Sequence, residues 1–208
     1  MPLIRKPAGD TRKQTSTTLD VLQGLASVSA DERWAAARAA PDVPGGAPAL
    51  ITALRSEADA RVREAMLTSL ARINSADSIE AIFTLLRSDD ASCRAGALDT
   101  LRAMGSAASA HLFRLLKDPD SDVRLLSCDI ARGLPGATAT RMLCELLANE
   151  TEANVCSAAI EVLAEVGEAE ALPVLAACAA RFRDTPFLAF AIKVASDRIV
   201  AQSTRPHV

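Results

Sequence analysis

Apolar positions along the chain recur on two scales. Over short stretches they fall at i, i+3, i+4, i+7, i+8 and i+11, which is a stripe down one face of an α-helix. That stripe itself repeats. Its opening residue stands at Trp34, Val62, Cys93, Val123, Val155 and Phe187, with steps of 28, 31, 30, 32 and 32 residues. In the second copy the stripe continues through Ala65, Met66, Ser69, Leu70 and Ile73; in the fifth it runs through Ala158, Ala159, Val162, Leu163 and Val166. Three residues before each opening stands an acid: Asp31, Asp59, Asp90, Asp120, Glu152 and Asp184. An acid there caps the start of a helix or stabilises it through the helix dipole. Asn74, Gly105, Pro135 or Gly167 follows the stripe as a stop, Asn and Gly because they accept the left-handed conformation.

A second apolar pattern precedes each stripe. It is Leu50-Ile51 with Leu54, Ile82-Phe83 with Leu85-Leu86, and Leu112-Phe113 with Leu115-Leu116. Met142-Leu143 with Leu146-Leu147 repeats it, and Leu172 with Val174-Leu175 is a looser version. Each period is therefore helix, turn, helix. No pair buries its stripe alone, so neighbouring pairs must stack. The first pair starts near Thr17. Residues 16–201 are expected to form one array, with a flexible basic tail over 1–15 and a short tail over 202–208.

Composition agrees with close helix packing. The chain has 42 Ala and 25 Leu, while aromatics make up 3%. Neither an all-β fold nor a disordered chain fits that mixture. No apolar run is long enough to span a membrane, and the start of the chain lacks an apolar signal core. A cytoplasmic location and no membrane association are expected. Cys93, Cys128, Cys144, Cys156 and Cys178 are odd in number and widely spaced. They are expected to be free thiols filling core positions. Cys156 stands apart, since it occupies a position held by Arg in other units and would then be exposed.

The motif Asp59-x-x-Val62-Arg63-x-Ala65, with Asp90-x-x-Cys93-Arg94 and Asp120-x-x-Val123-Arg124, resembles the HEAT repeat. The short period is similar to the bacterial HEAT-like repeats of the phycobilin lyase subunit group. The resemblance covers about residues 17–200. It implies an all-α, right-handed α-solenoid of about six HEAT-like helix pairs, with the second helices lining a concave surface. It also implies a ladder of acid–Arg pairs within and between repeats, Asp59, Asp90 and Asp120 being the partners of Arg63, Arg94 and Arg124. The Arg position is Ala35 in the first unit, Cys156 in the fifth and Leu188 in the sixth. The ladder is therefore expected only in the middle three units.

Charge is uneven. Residues 142–170 carry seven acids and no basic side chain. Glu161 and Glu165 among them share one helix face and would meet a cationic segment, or simply face solvent. In the sixth unit Phe187, Leu188 and Phe190 either close the core or leave an apolar end. Trp34 is expected to plug the other end. His111 and His207 have no metal-ligand spacing, and no phosphate loop is present. No catalytic, metal or cofactor site is expected.

The leading reading is a non-catalytic scaffold or adaptor that binds a segment of another protein through the concave groove. Its contact set is Arg63, Arg94, Arg124, Glu161 and Glu165. A maturation factor or lyase-type accessory subunit, as the resemblance implies, is one alternative. A nucleic-acid binder whose Arg column tracks phosphates is another, though a net charge of −3 is a poor footprint for it.

Overall fold

The computed structural model describes residues 17–203, apart from the side chain of Ser106. Twelve α-helices and no strand are found among them. In chain order they are α1 (17–24), α2 (Ala30–Ala39), α3 (Gly46–Leu54), α4 (Ala60–Ile73), α5 (Ala76–Thr84) and α6 (Ala91–Met104). They continue with α7 (Ser106–Leu115), α8 (Ser121–Ile130), α9 (Gly136–Asn149), α10 (Ala153–Val166), α11 (Leu172–Arg181) and α12 (Pro186–Ser203). No described helix is long and apolar enough to cross a membrane. The expected basic tail lies outside the described residues, as do 204–208, while Gln202 and Ser203 belong to α12.

The chain divides into two compact units between Leu85 and Leu86. In the first, α4 packs on α2, α3 and α5. Leu50, Val62, Met66 and Leu70 make its core and are wholly buried. In the second, α10 is the central element, packed on α8, α9 and α12. Val155, Ala159, Ile160, Val162 and Leu163 are buried along it. The fifth stripe is thus the core face that its periodicity predicts.

Helix ends follow the stop signals by three different routes. Asn74 adopts the left-handed conformation at φ 51° and ψ 36°. Gly105 also has positive φ, at 53°. Gly167 does not, with φ −70°. There the requirement is space, because a Cβ would lie 2.3 Å from the Leu163 carbonyl oxygen. Pro135 opens α9 rather than closing α8, which ends in a 3-10 turn over Ala131–Gly133.

Two units differ in register from the sequence pattern. α2 is capped by Ser29, whose hydroxyl accepts from the Glu32 N–H at 3.4 Å, so Asp31 lies inside the first turn. Trp34 is only half-buried and stacks beneath Arg38 at 4.7 Å; Ala36 and Ala37 are the buried residues of that helix. In α12 Leu188 is fully buried, while Phe187 and Phe190 are 49% and 70% exposed. The core position of the last unit is therefore Leu188, and the apolar residues left outside are the two phenylalanines.

Candidate partner-binding surface

The turns between helices share one construction. Asp59, Asp90 and Asp120 accept from backbone N–H groups of the first helical turn, for example Asp59 from Arg61 at 2.9 Å. Two residues before the cap, a side-chain oxygen accepts the cap's own N–H. That acceptor is Ser27, Glu57, Ser88, Asp118 and Glu150 in successive turns. Four residues after the cap, a side chain reaches back to the main-chain carbonyl of that same residue. Arg33 donates to Ser27, Arg63 to Glu57 at 3.1 Å, Arg94 to Ser88 at 2.6 Å and Arg124 to Asp118 at 2.8 Å.

Cys156 fills this column in the fifth unit, and its sulfur lies 3.9 Å from the Glu150 carbonyl oxygen. It is buried, contrary to the exposure expected for a residue in an Arg position. The first-unit member is Arg33, not Ala35. Moving the cap from Asp31 to Ser29 makes this visible in the sequence as Ser29-x-x-x-Arg33.

The ladder between repeats uses a different acid from the one expected. Arg33 forms a two-pronged pair with Glu57, at 2.7 and 3.0 Å, and Arg124 does the same with Glu150. Both carboxylates are buried. The Arg33 hydrogen bond holds Glu57 below the usual carboxylate range, against the effect of burial. At Glu150 burial opposes ionisation, but hydrogen bonds from Arg124 and from the Glu152 and Thr151 N–H groups outweigh it and lower the pKa. A folded pKa below the unfolded value gives stability at neutral pH that is lost as pH falls through the folded pKa. The urea midpoint of the full chain is expected to hold from pH 7 to about 5.5 and fall below 4.5, the ordinary glutamate value. Glu57→Gln should flatten that fall; an unchanged profile would show that the pairs carry little of the acid response.

A second run of charge joins α6, α8 and α10. Arg102 bridges Asp99 at 3.1 Å and Asp129, and Arg132 bridges Asp129 at 3.1 Å and Glu165. Arg132 also stands 3.8 Å from Glu161, which is 71% exposed. The Arg132 hydrogen bond lowers the Glu165 pKa. The chain thus supplies its own cation to the two glutamates of the acidic stretch.

In the second unit, α9 packs on α11, whereas cavities lie between α9 and α7. One has a volume of about 460 Å³ and is floored by Leu116, Met142 and Leu146. Phe113 stands at its side and is 41% exposed. Lys117 lies over the Phe113 ring at 4.0 Å and pairs with Glu145 at 2.6 Å across the opening. A neighbouring cavity shares Phe113, Met142 and Glu145 and extends the cleft toward Arg141. The first unit has a separate cavity of about 780 Å³ beside the Arg33–Glu57 pair.

The family model described as HEAT repeats matches residues 47–127 and 109–193. The chain belongs to the HEAT-repeat family. Among solved structures it is similar to Cex1p, at 15% identity and a TM-score of 0.51, over 91% of this chain and 44% of that one. It is also similar to designed armadillo repeat proteins. YIII(Dq)4CqI matches at 16% identity and a TM-score of 0.42, over 88% of this chain and 99% of that one. YIII(Dq.V1)4CPAF, solved in complex with the peptide (KR)4, matches at 17% identity and a TM-score of 0.45, over 88% and 99%. These are likenesses of fold. No curated protein matches the chain.

Within the HEAT repeats, the five residues expected to form a contact set fall into two groups. Arg63 is buried, Arg94 is half-buried, and Arg124 is tied to Glu150 and to loop carbonyls. Glu161 and Glu165 sit on α10 beside Arg132. The cleft between α7 and α9 was not singled out by sequence. Its signal is Phe113, the aromatic member of an otherwise aliphatic pair, one residue off the buried stripe of α7.

Among the described residues no group of His, Cys, Asp and Glu is arranged to hold a metal ion. The five cysteines are free thiols. Burial pushes Cys128 up to about 12 and also raises Cys144. Arg181 lies 4.0 Å from the Cys178 sulfur and donates to the Leu147 and Ala148 carbonyls at 2.5 and 3.1 Å.

Proposed function

We propose that this HEAT-repeat chain is a non-catalytic interaction module, a single array over 16–201 that holds a segment of another protein. The observation that carries this reading is the α7–α9 cleft. It combines a buried aliphatic floor, an exposed aromatic side chain and a rim of opposite charges. An anchor side chain of the partner fills the cavity against Phe113, Met142 and Leu146, and the Lys117–Glu145 pair opens to meet its polar flanks. Pockets with an apolar floor inside a polar rim are where binding energy concentrates. In this reading Glu161 adds an exposed carboxylate on α10, while Arg63, Arg94 and Arg124 act on the partner through the turns they fix.

The test is photo-crosslinking from Asn149, at the cleft mouth, followed by sequencing of the attached peptide. Phe113→Asp is expected to lower capture of that peptide at least tenfold, while helix content by circular dichroism stays unchanged. Removal of a buried anchor contact typically costs 2 kcal/mol or more, about thirtyfold in affinity. Undiminished capture by the variant would move the site elsewhere, and crosslinked nucleic acid in place of peptide would overturn the reading.

A further inference from the structure

Every charged side chain along the α7–α9 cleft but one is answered within the chain. Lys117 pairs with Glu145, Arg124 with Glu150, and Asp118 with Arg87. Arg141 is exposed and has no partner among the described residues. The two cavities order these charges along the cleft. The first lies against the C-terminal ends of both helices, with Phe113, Leu116, Asp118, Leu146 and Asn149. The second, of about 580 Å³, lies against their earlier turns, with Ser109, Ala110, Thr138 and Arg141. The two helices therefore run the same way along the cleft. Asp118, Glu145 and Glu150 all line the first cavity, whereas Arg141 lines only the second. Glu145 reaches both cavities but is held by Lys117 at 2.6 Å. The partial negative charge of two helix C-termini falls at the acidic end as well.

Resting on the reading of this cleft as a protein-binding site, we propose that the bound segment is a short acidic peptide with an acid two positions from its apolar anchor. Arg141 takes the carboxylate, through the two parallel hydrogen bonds that a guanidinium fork offers. The spacing follows from geometry. Along α9 the floor residues Met142 and Leu146 stand about 1.5 and 7.5 Å beyond Arg141. In an extended chain, residues two apart lie about 6.5 Å from each other on one face. An anchor seated on the floor thus brings the acid over Arg141. The same charges fix the orientation. Turned the other way, the acid would meet Asp118, Glu145 and Glu150, and like charges in an interface disfavour that register.

The probes are fluorescein-labelled peptides in a Gly-Ser frame, each with one leucine. Two carry glutamate, either two positions before the leucine or two positions after it, since either chain direction satisfies the geometry. Their counterparts carry glutamine or lysine in place of glutamate. By fluorescence polarisation at low salt, one glutamate peptide is expected to bind the full chain about fivefold tighter than its glutamine counterpart. Arg141→Ala should abolish that difference, and Arg141→Glu should transfer the preference to the lysine peptide. Helix content by circular dichroism should stay unchanged in both variants. Added salt should shrink the difference in the parent, as for any exposed ion pair. Equal binding of glutamate and glutamine peptides, with both lost in Phe113→Asp, would overturn the acidic segment and leave the cleft reading in place. A glutamate preference that survives in Arg141→Ala would overturn the role of Arg141. Binding of no probe up to millimolar concentration, or binding indifferent to Phe113→Asp, would overturn the proposal and the cleft reading together.

Discussion

Replacing Glu150 with alanine is expected to lower the stability of the chain by about 3–5 kcal/mol, the cost of breaking a buried ion pair from one side. The carboxylate takes two hydrogen bonds from Arg124, at 2.7 and 3.0 Å, and accepts the Thr151 and Glu152 N–H groups at 2.9 Å each. Alanine strands all four donors. Two belong to a guanidinium that is 14% exposed, and two belong to the turn that starts α10. Glu152 makes no side-chain cap, so Glu150 is the acceptor on which that helix start relies. Glu150→Gln keeps an acceptor for the turn and loses the charge, so its cost should be smaller. Arg124→Ala should be costly as well, because it leaves Glu150 buried and unpaired. The double variant should cost less than the sum of the two, since each removes the other's partner. Urea unfolding of the four proteins checks this. Simple additivity would mean that Arg124 and Glu150 act independently and the ladder is decorative.

The same residue shows how far the sequence carries the fold. Recurrence of the apolar stripe places the helix pairs, and the cap acids Asp59, Asp90 and Asp120 mark helix starts to the residue. Those acids drew attention because they recur as one residue type. The acceptor two residues earlier does not: it is Ser27, Glu57, Ser88, Asp118 and Glu150 in turn. What recurs is the function of accepting one N–H, and three residue types perform it. The inter-repeat partner of the arginine was hidden for that reason. The cleft was hidden for another: it is a property of the spacing between α7 and α9, and Phe113 is the one residue that hints at it.

Leu188→Ala is expected to cost about 2–5 kcal/mol, while Phe187→Ala and Phe190→Ala should each stay within about 0.5 kcal/mol of the parent. A reading by side-chain size gives the opposite ranking, since the two aromatics carry more apolar area. Leu188 has no exposed surface, whereas Phe187 and Phe190 are 49% and 70% exposed. The start of α12 fixes this. The Leu188 and Ala189 N–H groups both bond to the Thr185 carbonyl, at 3.0 and 3.2 Å. That start aims Leu188 inward with Ile192, Ala195 and Ile199, the other buried residues of the helix. Phe187 stands one position off the stripe, and Phe190 falls on the outer face. Truncating Leu188 empties space against α10 and α11, on which α12 packs, and the lost contacts and the cavity both count. Truncating either phenylalanine gives back surface that water already touches. Thermal and urea unfolding of the three variants decides the matter. Equal losses at Leu188 and Phe190 would mean that the outer face of α12 is covered in solution, and the phenylalanine variants would then be compared for oligomeric state by sedimentation.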